Sequence, residues 1–465
     1  MAGDFADPAR AEAGARSLEV ELAEIERILS DRTPAPAAPA PAPAPAPATH
    51  ISAAARTGRS SADMRLAPPR TFVRRLAARA AQAWMAAPAV RSQAIAAFAP
   101  VPLLLAAAFL GGVFPLAALA YLTVFTWLMD EFAPLDGAPA AMPADAAAAG
   151  RLSDALAAVH VMLAVAALHA LAGTDRLGAA GYLSTFLAFG LWFGQVSNAN
   201  AHELIHRAEP GRRRLGAAIL TSMLFGHHVS AHRLVHHRHV ATPDDPASAE
   251  TGEGFWQYVP RAWIGSFVAG WEIERQMARA RLGGRPRRVH PYLFYIGGAV
   301  MALALAGLAF GPAGVLVWLL LSGFAQLQLL LCDYVQHYGL LRRRTPSGRW
   351  EPVGPAHSWD APPGLSTLAM RTGPLHSDHP RGREGRGGRR GTTEPAQIAG
   401  GPEGRRGSGR PTLPHSLPAM YALALVPPLW HRVMDPRVLA LRRRQTAVPA
   451  AMWRAERWRS PPGQV

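Results

Sequence analysis

Long apolar runs alternate with polar stretches along most of this chain. Each run is long enough to cross the hydrocarbon core of a bilayer as an α-helix, which rises about 1.5 Å per residue. There are six such runs, at about residues 94–111, 113–129, 152–171, 177–196, 292–310 and 315–332. The pattern therefore predicts an all-α, polytopic membrane protein with six transmembrane helices.

The distribution of arginine predicts how these helices are oriented. The links between runs one and two, three and four, and five and six are very short, whereas residues 207–288 and the chain after Leu340 are long and rich in arginine. Since positively charged loops stay on the cytoplasmic side, we expect both long segments and both termini to face the cytoplasm of a bacterial inner membrane. The loop between runs two and three is acidic and departs from this pattern, but acidic residues carry little weight in the rule.

Composition divides the chain into three parts. Residues 1–69 form an N-terminal extension with one short predicted helix and a Pro-Ala tract of the kind that makes an extended, unpacked linker. Residues 70–438 form the membrane domain, and residues 439–465 form a basic C-terminal tail. We therefore expect one folded domain with appendages at both ends.

Charge and cysteine content limit the possible functions. The formal net charge is +16, and all 48 basic residues are arginine. Because these arginines lie mainly between and after apolar runs, we attribute them to membrane orientation and not to nucleic-acid binding. The single cysteine, Cys332, cannot hold a rubredoxin-like iron centre or an iron–sulfur cluster, and no dinucleotide fingerprint follows a strand. We expect no bound flavin, haem or iron–sulfur cluster, and any electron donor must be a separate protein.

Histidines supply the candidate chemistry. His202 and His206 stand four residues apart at the cytoplasmic end of the fourth run, and such a pair projects from one face of a helix. With Glu203 directly after the first histidine, the same spacing is also the signature of zinc peptidases, and a structural helix pair is a further alternative. Context has to decide between these alternatives.

Three further groups provide that context. They contain His232, His236 and His237, then His337 directly after the sixth run, and then His376 and His379. On an α-helix the first two of the second group share a face, and the third is turned by about 100° toward a second metal. Imidazole is a neutral ligand that suits iron, whereas a zinc peptidase needs only about three protein ligands. Eight candidate ligands at one membrane surface favour a dinuclear iron site.

These motifs resemble those of the integral-membrane alkane 1-monooxygenases, which are relatives of membrane fatty-acid desaturases and xylene monooxygenase. The resemblance covers about residues 94–438, and its most specific parts are residues 232–248 and residues 336–340. It implies two iron ions held by His202, His206, His232, His236, His237, His337, His376 and His379.

The resemblance also implies an activity. Members of this family hydroxylate the terminal methyl of medium- or long-chain alkanes to 1-alkanols, using O2 and electrons from rubredoxin and its NADH-dependent reductase. Alkane would enter from the lipid. Asp245 and His357 are candidates to orient ligating imidazoles by bonding the ring nitrogen that does not face the metal.

One segment departs from the family pattern. The family's last histidine box is similar to His-Ser-Asp-His-His, but here Pro380 takes the final position. Residues 381–410 then contain ten glycines and eight arginines. We interpret residues 371–411 as a locally shifted reading frame or a genuine insert, and with it one iron lacks a ligand. A membrane fatty-acid desaturase, a xylene-type hydroxylase and an inactive relative therefore stay open as alternatives.

Overall fold

A computed structural model describes residues 89–133, 146–280, 289–371 and 410–447 of the 465-residue chain. Within these residues the structure is helical, and its only β contacts are isolated bridges, Arg344 with Trp350 and Asp360 with Thr412. The all-α prediction is therefore confirmed for this part of the chain. The Pro-Ala extension, most of the basic tail, and the segment with His376, His379 and Pro380 lie outside the described residues.

The helices follow the predicted apolar runs and add several elements outside those runs. In the first half of the chain they are α1 (Ala89–Phe98), α2 (Val101–Phe109), α3 (Phe114–Ala120), α4 (Thr126–Phe132), α5 (Ala146–Ala172), α6 (Ala179–Trp192), α7 (Asn198–Ile205) and α8 (Pro210–Ser222). In the second half they are α9 (Phe255–Ala280), α10 (Pro291–His337), α11 (Leu365–Ala369), α12 (Leu417–Ala424) and α13 (Pro427–Ala447). Short single turns occur at His228–Ser230, His237–His239 and Pro355–His357.

Three helical stretches have π geometry, in which the backbone hydrogen bond runs from residue i to i+5. They are Tyr121–Phe125 between α3 and α4, Phe193–Ser197 between α6 and α7, and Ala231–His236 in the second histidine group. Thr126 at the end of the first stretch donates its hydroxyl hydrogen to the carbonyl of Tyr121, five residues earlier, at 2.8 Å. Such wide turns are common at functional sites. The second precedes α7, which carries His202, and the third contains His232 and His236.

The longest helix, α10, is broken near its middle. Phe310 has φ −134° and ψ 15°, Gly311 has φ 66°, and Pro312 follows without an N–H to donate. Because a positive φ is costly for residues with a β carbon, glycine is the natural residue at this break. The predicted short link between runs five and six lies here, so α10 consists of two helical arms.

Three helices in the described part of the chain are long and apolar enough to cross a membrane: Val90–Phe109, Ala146–Ala172 and Pro291–His337. The second and fourth predicted runs fall on α3–α4 and α6–α7, and a π segment divides each pair into shorter pieces. The chain is therefore a membrane protein by the character of its helices, and the count of six spans stays a prediction.

Two buried apolar clusters hold these helices together. One joins α2, α5, α6 and the second arm of α10, where the rings of Phe193 and Trp318 meet edge to face with centroids 5.8 Å apart. The other joins α7, α8, α9, the end of α10, α12 and α13. Its centre is aromatic, since Trp430 on α13 lies 5.2 Å from the rings of both Tyr334 and Tyr338. This second cluster surrounds the histidine groups and fixes the elements that carry them.

Candidate metal centre

The first histidine pair lies at the end of α7. His202 is on the helix, His206 is the residue that ends it, and their ring centroids are 5.0 Å apart. Nε2 of His202 lies 2.7 Å from Nε2 of His232. One nitrogen from each of these three residues lies within 4.8 Å of the other two. Three imidazole nitrogens gathered in this way fit a transition-metal ion.

The second group lies on the π-helical segment Ala231–His236 and the turn that follows. The rings of His232 and His236 stack with centroids 5.0 Å apart, while Nε2 of His237 approaches Nε2 of His232 at 2.9 Å. The ring of His237 also stacks against that of His206 at 4.7 Å. The α-helical turn expected from the sequence is replaced here by a wider one, yet all three rings still reach the cluster.

His337 joins the cluster from the end of α10. Its ring centroid lies 4.9 Å from that of His236, and its Nδ1 lies 3.0 Å from the carbonyl oxygen of His357. A carbonyl only accepts, so Nδ1 carries the proton and Nε2 carries the lone pair. The structure thus brings together six of the eight predicted ligands, namely His202, His206, His232, His236, His237 and His337.

Asp245 contacts His236 of the second histidine group. Its Oδ2 lies 2.8 Å from Nδ1 of His236, and it also accepts from the hydroxyl of Ser248 at 2.7 Å and the backbone N–H of Ala247 at 3.1 Å. Burial lowers the pKa of His236, but the Asp245 carboxylate more than offsets this and raises it. Burial raises the pKa of Asp245, but His236 and the two hydrogen bonds bring it below its usual value. Because Nδ1 of His236 contacts Asp245, Nε2 is the ring nitrogen left to face the cluster.

His357 contributes its backbone and not its ring. Its Nδ1 accepts from the N–H of Gly354 at 2.8 Å, and its Nε2 lies 3.2 Å from Oε1 of Glu351. The ring therefore stabilises its own loop, while the carbonyl oxygen orients His337. A sequence pattern identifies the residue but cannot distinguish these two roles.

Burial keeps the neighbouring imidazoles neutral. It lowers the pKa of His227 to about 4 and, together with nearby histidines, that of His228 to about 3. It also lowers the pKa of His232 well below the usual value, again with a contribution from nearby histidines. Only the neutral ring has a lone pair for a metal, so the lowered pKa makes His232 available as a ligand at neutral pH. An all-imidazole donor set with no thiolate fits iron.

Glu203, the general base of a zinc peptidase signature, pairs with Arg207, four residues later, at 3.0 Å.

Two contacts of Tyr338 were not predictable from local motifs. The hydroxyl of Tyr338 donates to Asp435 on α13 and accepts from the backbone N–H of Gly252 at 2.8 Å. Because these partners are 86 and 97 residues from Tyr338 in sequence, no spacing rule connects them. The C-terminal helix thus secures the loop that follows His337.

Other histidines lie outside the cluster. Nδ1 and Nε2 of His160 on α5 contact the hydroxyls of Ser197 and Ser222 at 2.7 and 3.0 Å. His227 packs against the rings of Trp263 and Phe267, at 5.0 and 5.1 Å. These residues support the fold around the cluster.

Comparison with known proteins adds independent findings. Residues 177–379 match the family model described as Fatty acid desaturase. The chain is 34% identical over 265 residues to Alkane 1-monooxygenase 2 of Alcanivorax borkumensis, covering 57% of this chain and 65% of that protein. It is 33% identical over 273 residues to Alkane 1-monooxygenase 2 of Pseudomonas aeruginosa, covering 58% and 68%. It is 31% identical over 257 residues to Alkane 1-monooxygenase of Pseudomonas putida, covering 54% of this chain and 59% of that protein. The three matches therefore span 59% to 68% of the relatives' own lengths.

Proposed function

This chain belongs to the alkane 1-monooxygenase family, and on that premise we propose that it is a di-iron membrane monooxygenase. Its reaction would place one atom of O2 into a terminal C–H bond of a medium- or long-chain alkane. One alkane, one O2, two electrons and two protons would give one 1-alkanol and one water. The observation that carries the proposal is the cluster of six buried or half-buried imidazoles contributed by α7, the π-helical segment and α10.

The chemistry of the substrate explains why such a site is needed. A terminal methyl group has no acidic proton and little polarity, so a side chain acting as an acid or base has nothing to act on. Two bound irons supply the capacity to activate O2 with two electrons. In this proposal they are held by His202, His206, His232, His236, His237, His337, His376 and His379.

The protein's own groups keep the ligands in the required orientation. Asp245 accepts the Nδ1 proton of His236, and the carbonyl of His357 accepts the Nδ1 proton of His337. Each contact fixes the tautomer and the rotation of a ring, and leaves Nε2 as its ligand atom.

The electrons must come from outside the chain. With Cys332 as the only cysteine, we propose rubredoxin as the donor, reduced by its NADH-dependent reductase. The arginine-rich cytoplasmic segments would attract such an acidic partner. We further propose six spans in the inner membrane, both termini in the cytoplasm, and delivery of alkane from the lipid.

Product analysis with isotopically labelled oxygen tests the function. Full-length protein loaded with iron is supplied with reduced rubredoxin, an alkane and ¹⁸O2. We expect labelled 1-alkanol, lost in His202→Ala and kept in His415→Ala, because His415 is exposed and lies outside the cluster. Unlabelled alkene would instead identify a desaturase.

The altered last histidine box favours a second candidate, an inactive relative. Pro380 stands where the family's box ends in histidine and has no atom that binds a metal. Iron content separates the two candidates. Two irons per chain with donor-dependent O2 consumption support the enzyme. One iron or none, restored to two by Pro380→His, supports the inactive relative.

A further inference from the structure

Helix α9, Phe255–Ala280, has two apolar faces. Phe255, Tyr258 and Ala262 are fully buried, and this face packs on the π-helical segment that carries His232 and His236. The opposite face is exposed although it is also apolar. Its large side chains have exposed fractions of 53% for Trp256, 58% for Ile264, 57% for Val268 and 40% for Trp271.

These four exposed side chains form one stripe, here called the α9 stripe. At about 100° per residue they fall within an arc of about 120° on the helix surface. Pro260, also exposed, lies within the same arc. Arg261, Arg275 and Arg279 are exposed along one edge of it. Tryptophan and aliphatic residues on one face with arginine beside them are typical of a helix that lies in the surface layer of a membrane.

The α9 stripe continues onto a candidate membrane span. The ring of Trp271 lies 4.3 Å from that of His290 and 5.2 Å from that of Tyr292, at the start of α10. The hydroxyl of Tyr292 also donates to the carbonyl of Phe267 on α9, at 2.7 Å. The next two residues of α10, Leu293 and Phe294, are 63% and 67% exposed. The stripe and the lipid-facing side of α10 therefore form one continuous apolar surface.

We propose that α9 lies in the interface between membrane and cytoplasm, with the α9 stripe against lipid and its arginine edge among the headgroups. An apolar surface of this extent is rarely left in water, and its continuity with α10 identifies lipid as what covers it. The long guanidinium side chains can keep their charges in the headgroup layer while their stems lie along the stripe.

This arrangement sets the depth of the histidine cluster. Side chains along one edge of the stripe contact the surroundings of that cluster, since Trp263 and Phe267 pack on His227 and Glu274 accepts from Ser230 at 2.8 Å. The helix therefore lies between the lipid and the π-helical segment that carries His232 and His236. The inference concerns membrane contact and does not depend on the proposed reaction.

Site-specific quenching tests the inference on the full-length chain. With Cys332→Ala as background, single cysteines from Ile264→Cys, Val268→Cys and Ser347→Cys are labelled with an environment-sensitive fluorophore. Ser347 is the control because it lies on an exposed turn and is not part of α9. The protein is reconstituted in vesicles of phosphatidylcholine and phosphatidylglycerol with a lipid carrying a nitroxide near its headgroup.

We expect the nitroxide lipid to quench the labels at 264 and 268 several-fold more than the label at 347. Aqueous iodide should show the reverse order. Iodide quenching of 264 and 268 equal to that of 347 would overturn the inference. Protection from both quenchers, together with cysteine cross-linking between chains, would also overturn it and would identify a second copy as the covering partner.

Discussion

Nδ1 of His236 lies 2.8 Å from Oδ2 of Asp245, and neither side chain is exposed to water. This contact joins a candidate ligand on the π-helical segment to the loop that follows it. A buried carboxylate next to a neutral ring fixes the tautomer and makes Nε2 a better electron donor to a metal. The buried carboxylate also accepts from the hydroxyl of Ser248 and the backbone N–H of Ala247.

Asp245→Asn should weaken iron binding by about 10- to 100-fold with little change in fold. The amide keeps the size of the side chain but removes the charge that raises the pKa of His236. Equilibrium dialysis against a chelator, followed by elemental analysis, measures the affinity. Asp244→Asn is the matched control, since Asp244 is 64% exposed and its contact with Nδ1 of His239 is long, at 4.0 Å. Equal affinities in the two variants would contradict the assigned role.

His160→Phe should lower stability and leave the iron content unchanged. The variant removes two hydrogen bonds that join α5 to Ser197 and Ser222, for a cost of about 1–3 kcal/mol. Thermal unfolding and iron analysis are measured on the same samples. His232→Phe provides the contrast, because it should lose iron. Iron loss in His160→Phe comparable to that in His232→Phe would make His160 part of the metal site.

Gly339→Ala should be more damaging than Gly348→Ala. Both glycines have positive φ, 68° and 77°, so each substitution carries a similar backbone cost of about 1–2 kcal/mol. A β carbon at 339 would also lie 2.8 Å from Cγ2 of Val438 and 2.9 Å from Oγ1 of Thr251, whereas nothing lies within 4 Å at 348. Chemical unfolding measures the free energy of unfolding of both variants, and the difference between them is the cost of the close contacts at 339. An equal loss of stability in the two variants would show that Val438 and α13 can shift to make room for the added methyl group.

Because Gly339 follows His337 by two residues, iron content is a second measurement for the same pair. We expect Gly339→Ala to lose iron and Gly348→Ala to keep it. If both variants keep their iron, the loop after His337 can shift without displacing the His337 side chain.

Glu351 should make the loop after α10 sensitive to acid. Burial raises the pKa of Glu351, but His357, the N–H of Arg343 and the charge of Arg343 more than offset this and lower it to about 2. The unfolded value is 4.5, so the folded state favours the ionised form. Its contribution is complete above the unfolded pKa and is lost as pH falls from 4.5 toward 2.

Glu351→Gln removes this dependence. Above pH 5, the free energy of unfolding of the wild type should exceed that of the variant by about 1 kcal/mol, after allowing for solvent screening. The difference should shrink as the pH falls from 4.5 toward 2. Thermal unfolding between pH 6 and about pH 3 measures it. A difference that stays constant across this range would show that the carboxylate charge is not what holds the loop.

The sequence predicted the helical class and six histidines that the structure brings together, because both depend on local spacing. Histidines four residues apart, as at 202 and 206, meet on one helix face whatever surrounds them. Apolar length identified Ala146–Ala172 directly. The helix α9 was not predicted, because its exposed apolar residues appear unusual only once its other face is known to be buried.

Geometry that depends on distant partners was not predictable. The Pro355–His357 turn places a carbonyl on His337, and only the folded loop shows that the carbonyl and not the ring makes this contact. Similarly, Asp435 meets Tyr338 because the aromatic cluster around Trp430 brings α13 against α10. No periodicity in the sequence predicts either of these contacts.

The wide turn at Ala231–His236 has a genetic consequence. It accommodates one residue more per turn than an ordinary helix, so deleting a single codon there would tighten the coil and swing the rings downstream away from their neighbours. A deletion of Arg233, Leu234 or Val235 would keep every histidine, yet it would break up the arrangement of their rings. The candidate metal site therefore depends on the number of residues in this segment as well as on the histidines themselves.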